Sequence, residues 1–202
     1  WQKNVREVLL EFDIIKFSLD SLNPKVFNRI DRPHKSLSLE SIKDGITSFA
    51  KEFTQKTNGK LIGEILLLKG INDAPQYAEE LAQFLSHIPL SRLDIGTLDR
   101  PPAHKATPLS DKEIQVFASY FKGICVYIPK RTPKDSHTQK RSLNTQELIQ
   151  ALSMRPLTQE DMQILFSKDT LNLANTLVKE NLLVWEQVGN IAFLRPIESA
   201  PK

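Results

Sequence analysis

Strands that alternate with helices between residues 13 and 128 predict an α/β fold built on a parallel sheet. Two further observations point the same way. The strand segments are nearly continuous in Val, Ile and Leu, as when helices cover both faces of a sheet or ring a barrel. Several helix starts also carry their own capping residues.

The opening segment VREVLLEF has helical spacing at Val5, Val8, Leu9 and Phe12 and runs straight into a strand at 13–18, so the chain reads as starting inside a fold. A helix follows at about 39–55 behind the N-cap Ser38, then a strand at 61–68. The next helix, about 74–88, has Asp73 as its expected cap and Pro75 in its first turn. A strand at about 92–97, a helix at about 110–121 with the capping-box spacing Ser110 and Glu113, and a strand at 124–128 complete this part.

From Pro129 the pattern changes. PKRTPKDSHTQKRS has no large apolar residue and no periodicity, and reads as an exposed linker over 129–142. The net charge of +3 originates there: residues 122–141 hold 6 basic residues against 1 acidic. Residues 143–198 read as three short helices and a hairpin, LLVWEQ and NIAFLR, turned at Val188-Gly189. That order is the order of a winged-helix domain.

Composition sets the class. The chain has 202 residues, 40% hydrophobic and 25% charged, enough for a core of ordinary globular type. No apolar run is long enough to span a bilayer or to act as a signal peptide, so a cytoplasmic location and no membrane partner are expected. The single cysteine, Cys125, excludes an internal disulfide and a Cys-only metal site, and in GICVYIP it reads as a buried strand thiol.

In a parallel α/β scaffold, functional groups gather where strands end at their carboxyl side. The first strand ends at Ser18 and Asp20; the second carries Glu64 and ends at Lys69, Gly70, Asn72 and Asp73; the third ends at Thr97, Asp99 and Arg100. Acidic and basic groups at neighbouring strand ends would make a charge-balanced pocket able to grip a zwitterion. Glu64, a carboxylate within an apolar strand, must find a partner or face a cavity; Lys69 and Arg100 are the pairing candidates. If Glu64 is functional, it shares with Leu66 and Leu68 a face that must be a barrel interior. Arg32, Pro33 and His34 form a polar corner after the first strand, and His34 and His104, both beside prolines, are acid–base candidates or surface groups. No histidine pair has metal-ligand spacing, and neither a phosphate loop nor a serine nucleophile elbow is present.

Three blocks, FDIIKFSLDSLNPKVFNRIDRPHKSLSLESIKDGITSFAKEF, GKLIGEILLLKGINDAPQYAEELAQFL and LDIGTLDRPPAH, together resemble the second half of the radical S-adenosylmethionine (radical SAM) iron-sulfur proteins, in the group related to wyosine tRNA-modifying enzymes. The resemblance covers residues 1 to about 122. It implies the C-terminal half of a partial (β/α)6 TIM-like barrel over 1–128, followed by the winged-helix-like segment. It also implies an oxidoreductase in which S-adenosylmethionine, bound to a [4Fe-4S] cluster, yields a 5′-deoxyadenosyl radical. Ser18, Asp20, Glu64 and Thr97 would contact that cofactor, and Arg32, His34, Lys69, Asn72 and Arg100 would line the substrate cavity. The chain departs from the family at Asp31, where Asn is usual, and at Gly96-Thr97-Leu98, where Asn-Thr-Pro is usual. It also lacks the three-cysteine loop, so no cluster is expected on this chain alone, and the chain alone is expected to be inactive. The implied partners are a missing N-terminal half or complementary chain and an unknown substrate, RNA among the candidates. The rival reading is a non-catalytic winged-helix module that binds nucleic acid or protein; the negative net charge of residues 142–202 and the single lysine in DTLNLANTLVKENLL favour packing or dimerisation over tight nucleic-acid binding.

Overall fold

The computed structural model describes residues 3–102, 106–129 and 140–197. They form two compact units, Trp1–Leu98 with Pro108–Pro129, and Asp99–Thr107 with Lys130–Lys202. His104 and most of the expected linker, 130–139, lie outside the described residues. Among the described residues, no helix is long and apolar enough to cross a membrane.

The first unit runs α1 (Lys3–Leu9), β1 (Ile14–Ser18), α2 (Pro24–Ile30), α3 (Leu39–Lys56), β2 (Lys60–Leu67), α4 (Pro75–Leu85), β3 (Arg92–Thr97), α5 (Asp111–Ala118) and β4 (Val126–Tyr127). Its four strands lie in the order β1-β2-β3-β4, every neighbouring pair parallel, with Ser18 opposite Glu64, Glu64 opposite Asp94 and Asp94 opposite Tyr127. Because side chains alternate along a strand, that register sorts them into two faces. Ile15, Phe17, Leu19, Leu61, Ile65, Leu67, Leu93 and Ile95 join a core with Phe49 and Phe53 of α3, Leu81 and Leu85 of α4, and Ile114 and Phe117 of α5. The opposite face carries Ile14, Lys16, Ser18, Glu64, Arg92, Asp94 and Tyr127; Ile14 and Tyr127 are exposed there. The helices thus cover one face of the sheet, which departs from cover on both faces; a ring of helices outside a barrel would also cover one face. Cys125 shares the parity of Tyr127 and is exposed, which corrects the reading of a buried thiol.

Local signals explain most boundaries. Ser38 caps α3 by accepting from the Ser41 N–H, and Ser110 and Glu113 close a reciprocal box at α5. Asp73 is not the cap of α4; that position is Ala74, and the Asp73 carboxylate accepts instead from the Gly70 N–H at 3.0 Å, in a turn that Gly70 makes with a φ of 71°. The short α2 was not expected. Asn23 caps it by accepting from Lys25 and Val26, and Pro24 starts it, but only Phe27 is buried, so no periodic stripe marks it.

The second unit runs α6 (Thr145–Met154), β5 (Leu157–Thr158), α7 (Gln159–Leu165), α8 (Lys168–Lys179), β6 (Leu183–Val188) and β7 (Ile191–Pro196). Its three strands form an antiparallel sheet in the order β5-β7-β6, packed with Leu148, Leu152, Met162, Phe166, Ala174 and Leu177. Capping boxes start α6 at Asn144 and α7 at Thr158. Val188 pairs with Ile191, so the hairpin turns at Gly189-Asn190, one residue beyond the expected place, with Gly189 at a φ of 57°.

Close packing makes Gly59 and Gly96 opposite cases. A methyl at Gly59 would collide with the Phe53 ring and stand 3.0 Å from the Asp13 carbonyl, whereas nothing lies within 4 Å of a methyl at Gly96. Gly59→Ala is expected to lower stability by about 1–3 kcal/mol, and Gly96→Ala to shift it by no more than about 0.5 kcal/mol. Urea unfolding of the two variants checks both.

Candidate functional site

The uncovered face of the first sheet holds a chain of charges across three strands. Lys16 Nζ on β1 lies 2.6 Å from Glu64 Oε1 on β2 and 3.0 Å from Asp94 Oδ2 on β3, so one ammonium spans from the edge strand to the third. Asp94 also takes Arg92 Nε at 2.6 Å and Nη2 at 3.2 Å, and the Arg92 guanidinium stacks 4.9 Å from the centre of the Tyr127 ring. Ser18 Oγ lies 3.3 Å from the second oxygen of Glu64. The Glu64 partner is therefore Lys16, not Lys69 or Arg100. Alternation puts residues 16, 18, 64, 92 and 94 on one face, and Lys16 has the reach to cross β2.

Burial governs the charge states. Asp94 is 3% exposed, and burial alone would raise its carboxyl; hydrogen bonds from Arg92 and Lys16 outweigh that and hold it below the usual carboxylate range. Burial likewise favours a neutral Lys16, but the bonds to Glu64 and Asp94 raise its pKa, so it stays an ammonium. Two cations and two carboxylates leave this part of the face charge-balanced.

At the carboxyl end of β1 stands a different group. Asp20, 6% exposed, accepts from the Leu66 N–H at 2.8 Å through Oδ1. Burial pushes its pKa up to about 7, the Leu66 bond opposes that in part, and the nearby carboxylates Asp31 and Glu64 add to it. Beside it, buried Asn72 accepts from the Leu68 N–H and donates to the carbonyls of Asp20 and Leu66.

The structure separates the nine expected site residues. It brings Ser18 and Glu64 together and puts Asp20 at the end of the same strand as Ser18. Asn72 spends its whole amide on backbone, tying the ends of β1 and β2. Thr97 has the core-facing parity of Leu93 and Ile95, and its hydroxyl donates to the Leu67 carbonyl and accepts from the Leu109 N–H. Lys69 pairs with Glu113 of α5 at 2.7 Å. His34 is exposed, its Nδ1 2.8 Å from Ser36 Oγ, and Arg32 sits at a φ of 46° in the turn before it. Arg100 belongs to the second unit and donates to the Pro156 carbonyl at 3.1 Å. Lys16, Arg92, Asp94 and Tyr127 were missed. The signal for Lys16, Arg92 and Asp94 was polar residues two apart, Lys16 and Ser18 on strand one and Arg92 and Asp94 on strand three; Tyr127 on β4 had none.

No family model matches the chain. It is similar to a UPF0026 protein of Helicobacter pylori, 35% identical over 196 residues that take in 96% of this chain and 61% of the relative. The chain thus spans about three fifths of that relative's length. Among solved structures it is similar to a domain of a pyruvate-formate lyase-activating enzyme from Bacteroides vulgatus, with a TM-score of 0.50 at 16% identity over 64% of this chain and 75% of that one. A radical SAM methyltransferase from Sphaerobacter thermophilus also gives a TM-score of 0.50, at 19% identity over 62% of this chain and 37% of that one. The fold is radical SAM-like.

Two outcomes follow from the charges. Asp20 binds a proton more tightly folded than unfolded, so stability should fall as pH rises from about 4 to about 7. Asp20→Asn keeps the acceptor for Leu66 and removes that dependence; at pH 8 it should unfold at higher urea than the parent, by about 1–3 kcal/mol. Lys16→Met leaves buried Asp94 with Arg92 alone and should cost about 1–2 kcal/mol, discounted for the exposure of Lys16. Chemical denaturation at pH 8 measures that loss.

Proposed function

We propose that the uncovered sheet face is one wall of the S-adenosylmethionine and substrate cavity of a radical SAM iron-sulfur oxidoreductase. The observation that carries this is the charged row Lys16, Glu64, Asp94 and Arg92 on the helix-free side of a parallel sheet whose fold is radical SAM-like. An ordinary solvent-facing sheet needs no buried carboxylate held by two cations; a wall that must present fixed charges does.

The residues present fit one part of the cofactor set and not the other. One cysteine cannot supply the ligands of a [4Fe-4S] cluster, so the cluster belongs to strands outside this chain, in a preceding segment or a complementary chain. The open edge of β1, the exposed Ile14 and the greater length of the relative support such a complement. For S-adenosylmethionine the donors and acceptors suit. Glu64, steadied by Lys16, keeps lone pairs for an ammonium or ribose hydroxyl, and the Ser18 hydroxyl can turn to donate to a carboxylate. Asp20, near the end of the same strand, accepts or donates according to its proton. The cofactor supplies the radical chemistry; the wall orients it and excludes water. Arg32 and His34 stand as candidates for the cavity mouth, while Thr97 and Asn72 serve by fixing the strand ends. The wyosine-related group is supported by the three sequence blocks, and a winged-helix-like identity for the second unit by its order of three helices, a short strand and a hairpin.

The test is binding of S-adenosylmethionine to the protein produced with whatever segment its gene encodes before Trp1. Glu64→Gln should weaken binding about tenfold or more, as for a lost charged hydrogen bond, and reduce anaerobic formation of 5′-deoxyadenosine. Glu113→Gln, on α5, should leave both unchanged. Equal affinity in Glu64→Gln and the parent would remove the wall from the cofactor site.

A further inference from the structure

A cleft of about 270 Å³ opens in the second unit. Its floor is apolar: Met162 from α7, Leu171 and Val178 from α8. Trp185 of β6, 39% exposed, forms a wall. Gln159, Gln163 and Asn175 also line it, three amides that each present a donor and an acceptor. The volume is below the roughly 300–1,000 Å³ of pockets that enclose a drug-sized ligand. A flat ring with polar edges suits it.

The lining itself carries no charge, but basic residues lie near the start of α8, one turn from the lining residue Leu171. Lys168, Leu171, Asn175 and Val178 lie at spacings of three and four on α8, so Lys168 continues the stripe that lines the cleft. Beside it, the backbone of Arg141 bridges to Phe166, with the Arg141 N–H donating to Leu165 and the Ser167 N–H donating to Arg141. That bridge sets Lys140 and Arg141 at the turn between α7 and α8. All three cations are exposed and without an ion-pair partner among the described residues. The nearest acid in sequence, Asp169, points about 100° round the helix from Lys168.

We propose that this cleft binds single-stranded nucleic acid, one unstacked base lying against Trp185 and the adjoining phosphates meeting Lys168, Arg141 and Lys140. An aromatic wall, amide edges and nearby cations are the parts from which single-strand sites are built. Duplex is disfavoured: the outer face of α8 offers Asp169, Asn172 and Thr176, without the arginines of a groove reader. The weak affinity expected from the sequence counted charges along the tail and α8; the cleft is assembled from α7, α8 and β6 and has no linear signature. The proposal is independent of the radical SAM reading.

Quenching of Trp185 fluorescence in the full chain carrying Trp1→Phe, titrated with oligouridylate and oligodeoxythymidylate of twelve residues, tests it. Saturable quenching by either polymer is expected, and the ratio of the two affinities tells whether the 2′-hydroxyl contributes. Gln163→Ala, an exposed change on α7, should weaken binding several-fold, and Trp185→Leu, followed by anisotropy of a labelled oligomer, about tenfold or more. Lys140→Ala, Arg141→Ala and Lys168→Ala together should flatten the plot of log affinity against log salt by about 2. A twelve-base-pair duplex should bind more weakly than either strand. Absence of quenching, indifference to Trp185 and Gln163, or preference for the duplex would each overturn the proposal, as would occupation of the cleft by an apolar peptide that the oligomers fail to displace.

Discussion

Lys16 reaches across β2 to two carboxylates on two different strands, and much of the first unit makes sense as what is needed to keep it there. An ammonium between carboxylates 2.6 Å and 3.0 Å away costs desolvation, recovered only while the strands hold their spacing. The register that sets Ser18 opposite Glu64 and Glu64 opposite Asp94 aligns the acceptors, and a one-residue slip of β1 would turn Lys16 into the core. The charged row and the apolar face therefore specify the same register twice.

The ends of the strands are fixed by polar side chains used as backbone glue. Asn72 holds Leu66, Leu68 and Asp20 with one amide, and Thr97 spans from Leu67 to Leu109 with one hydroxyl. In a parallel sheet the last residues of each strand lose ladder partners, and buried groups there must be satisfied by something. Such side chains are polar and stand at strand ends, the same signature as a ligand-binding residue. That shared signature is why Asn72 and Thr97 looked like site residues. The difference lies in what is left over: both N–H donors of Asn72 are spent and its oxygen already accepts one bond, whereas one carboxylate oxygen of Asp20 remains after its bond to Leu66.

Strands β1 to β3 and helices α3, α4 and α5 were legible because period and caps agreed: short segments with apolar residues at the core-facing positions, then a Ser or Pro start, then a 3.6-residue stripe; β4 is only Val126–Tyr127, shorter than the expected 124–128. The helix α2 was not, since one buried Phe27 in seven residues leaves no stripe to read. Side-chain pairing was the least legible layer. Glu64 was recognised as a carboxylate in need of a partner, but Lys69 is nearer in sequence than Lys16, which lies 48 positions away. Only strand order and register make Lys16 a neighbour. Cys125 failed for a related reason, since an apolar surrounding sequence reads as burial when just one face of the strand is covered.

A carboxyl group with a pKa near 7 at the end of β1 and a charge-balanced row along the strands give the wall two electrostatic regimes. Within the row, Lys16 and Arg92 neutralise Glu64 and Asp94 locally, so a ligand there would meet directional hydrogen bonds with little net field. At Asp20 the charge itself varies with pH, and with it the sign of what can bind. Below neutrality the protonated group can donate to an anionic or carbonyl oxygen; above it, the carboxylate favours an ammonium or hydroxyl. Any cationic ligand close to Asp20 would lower its pKa, so binding would release a proton near neutral pH. A zwitterion held with its cationic end toward Asp20 and its anionic end toward Ser18 would use both regimes, and the opposite orientation would place like charges together. Under the proposed cofactor reading, the strand end would set ligand direction through the charge of Asp20 beside the Ser18 hydroxyl.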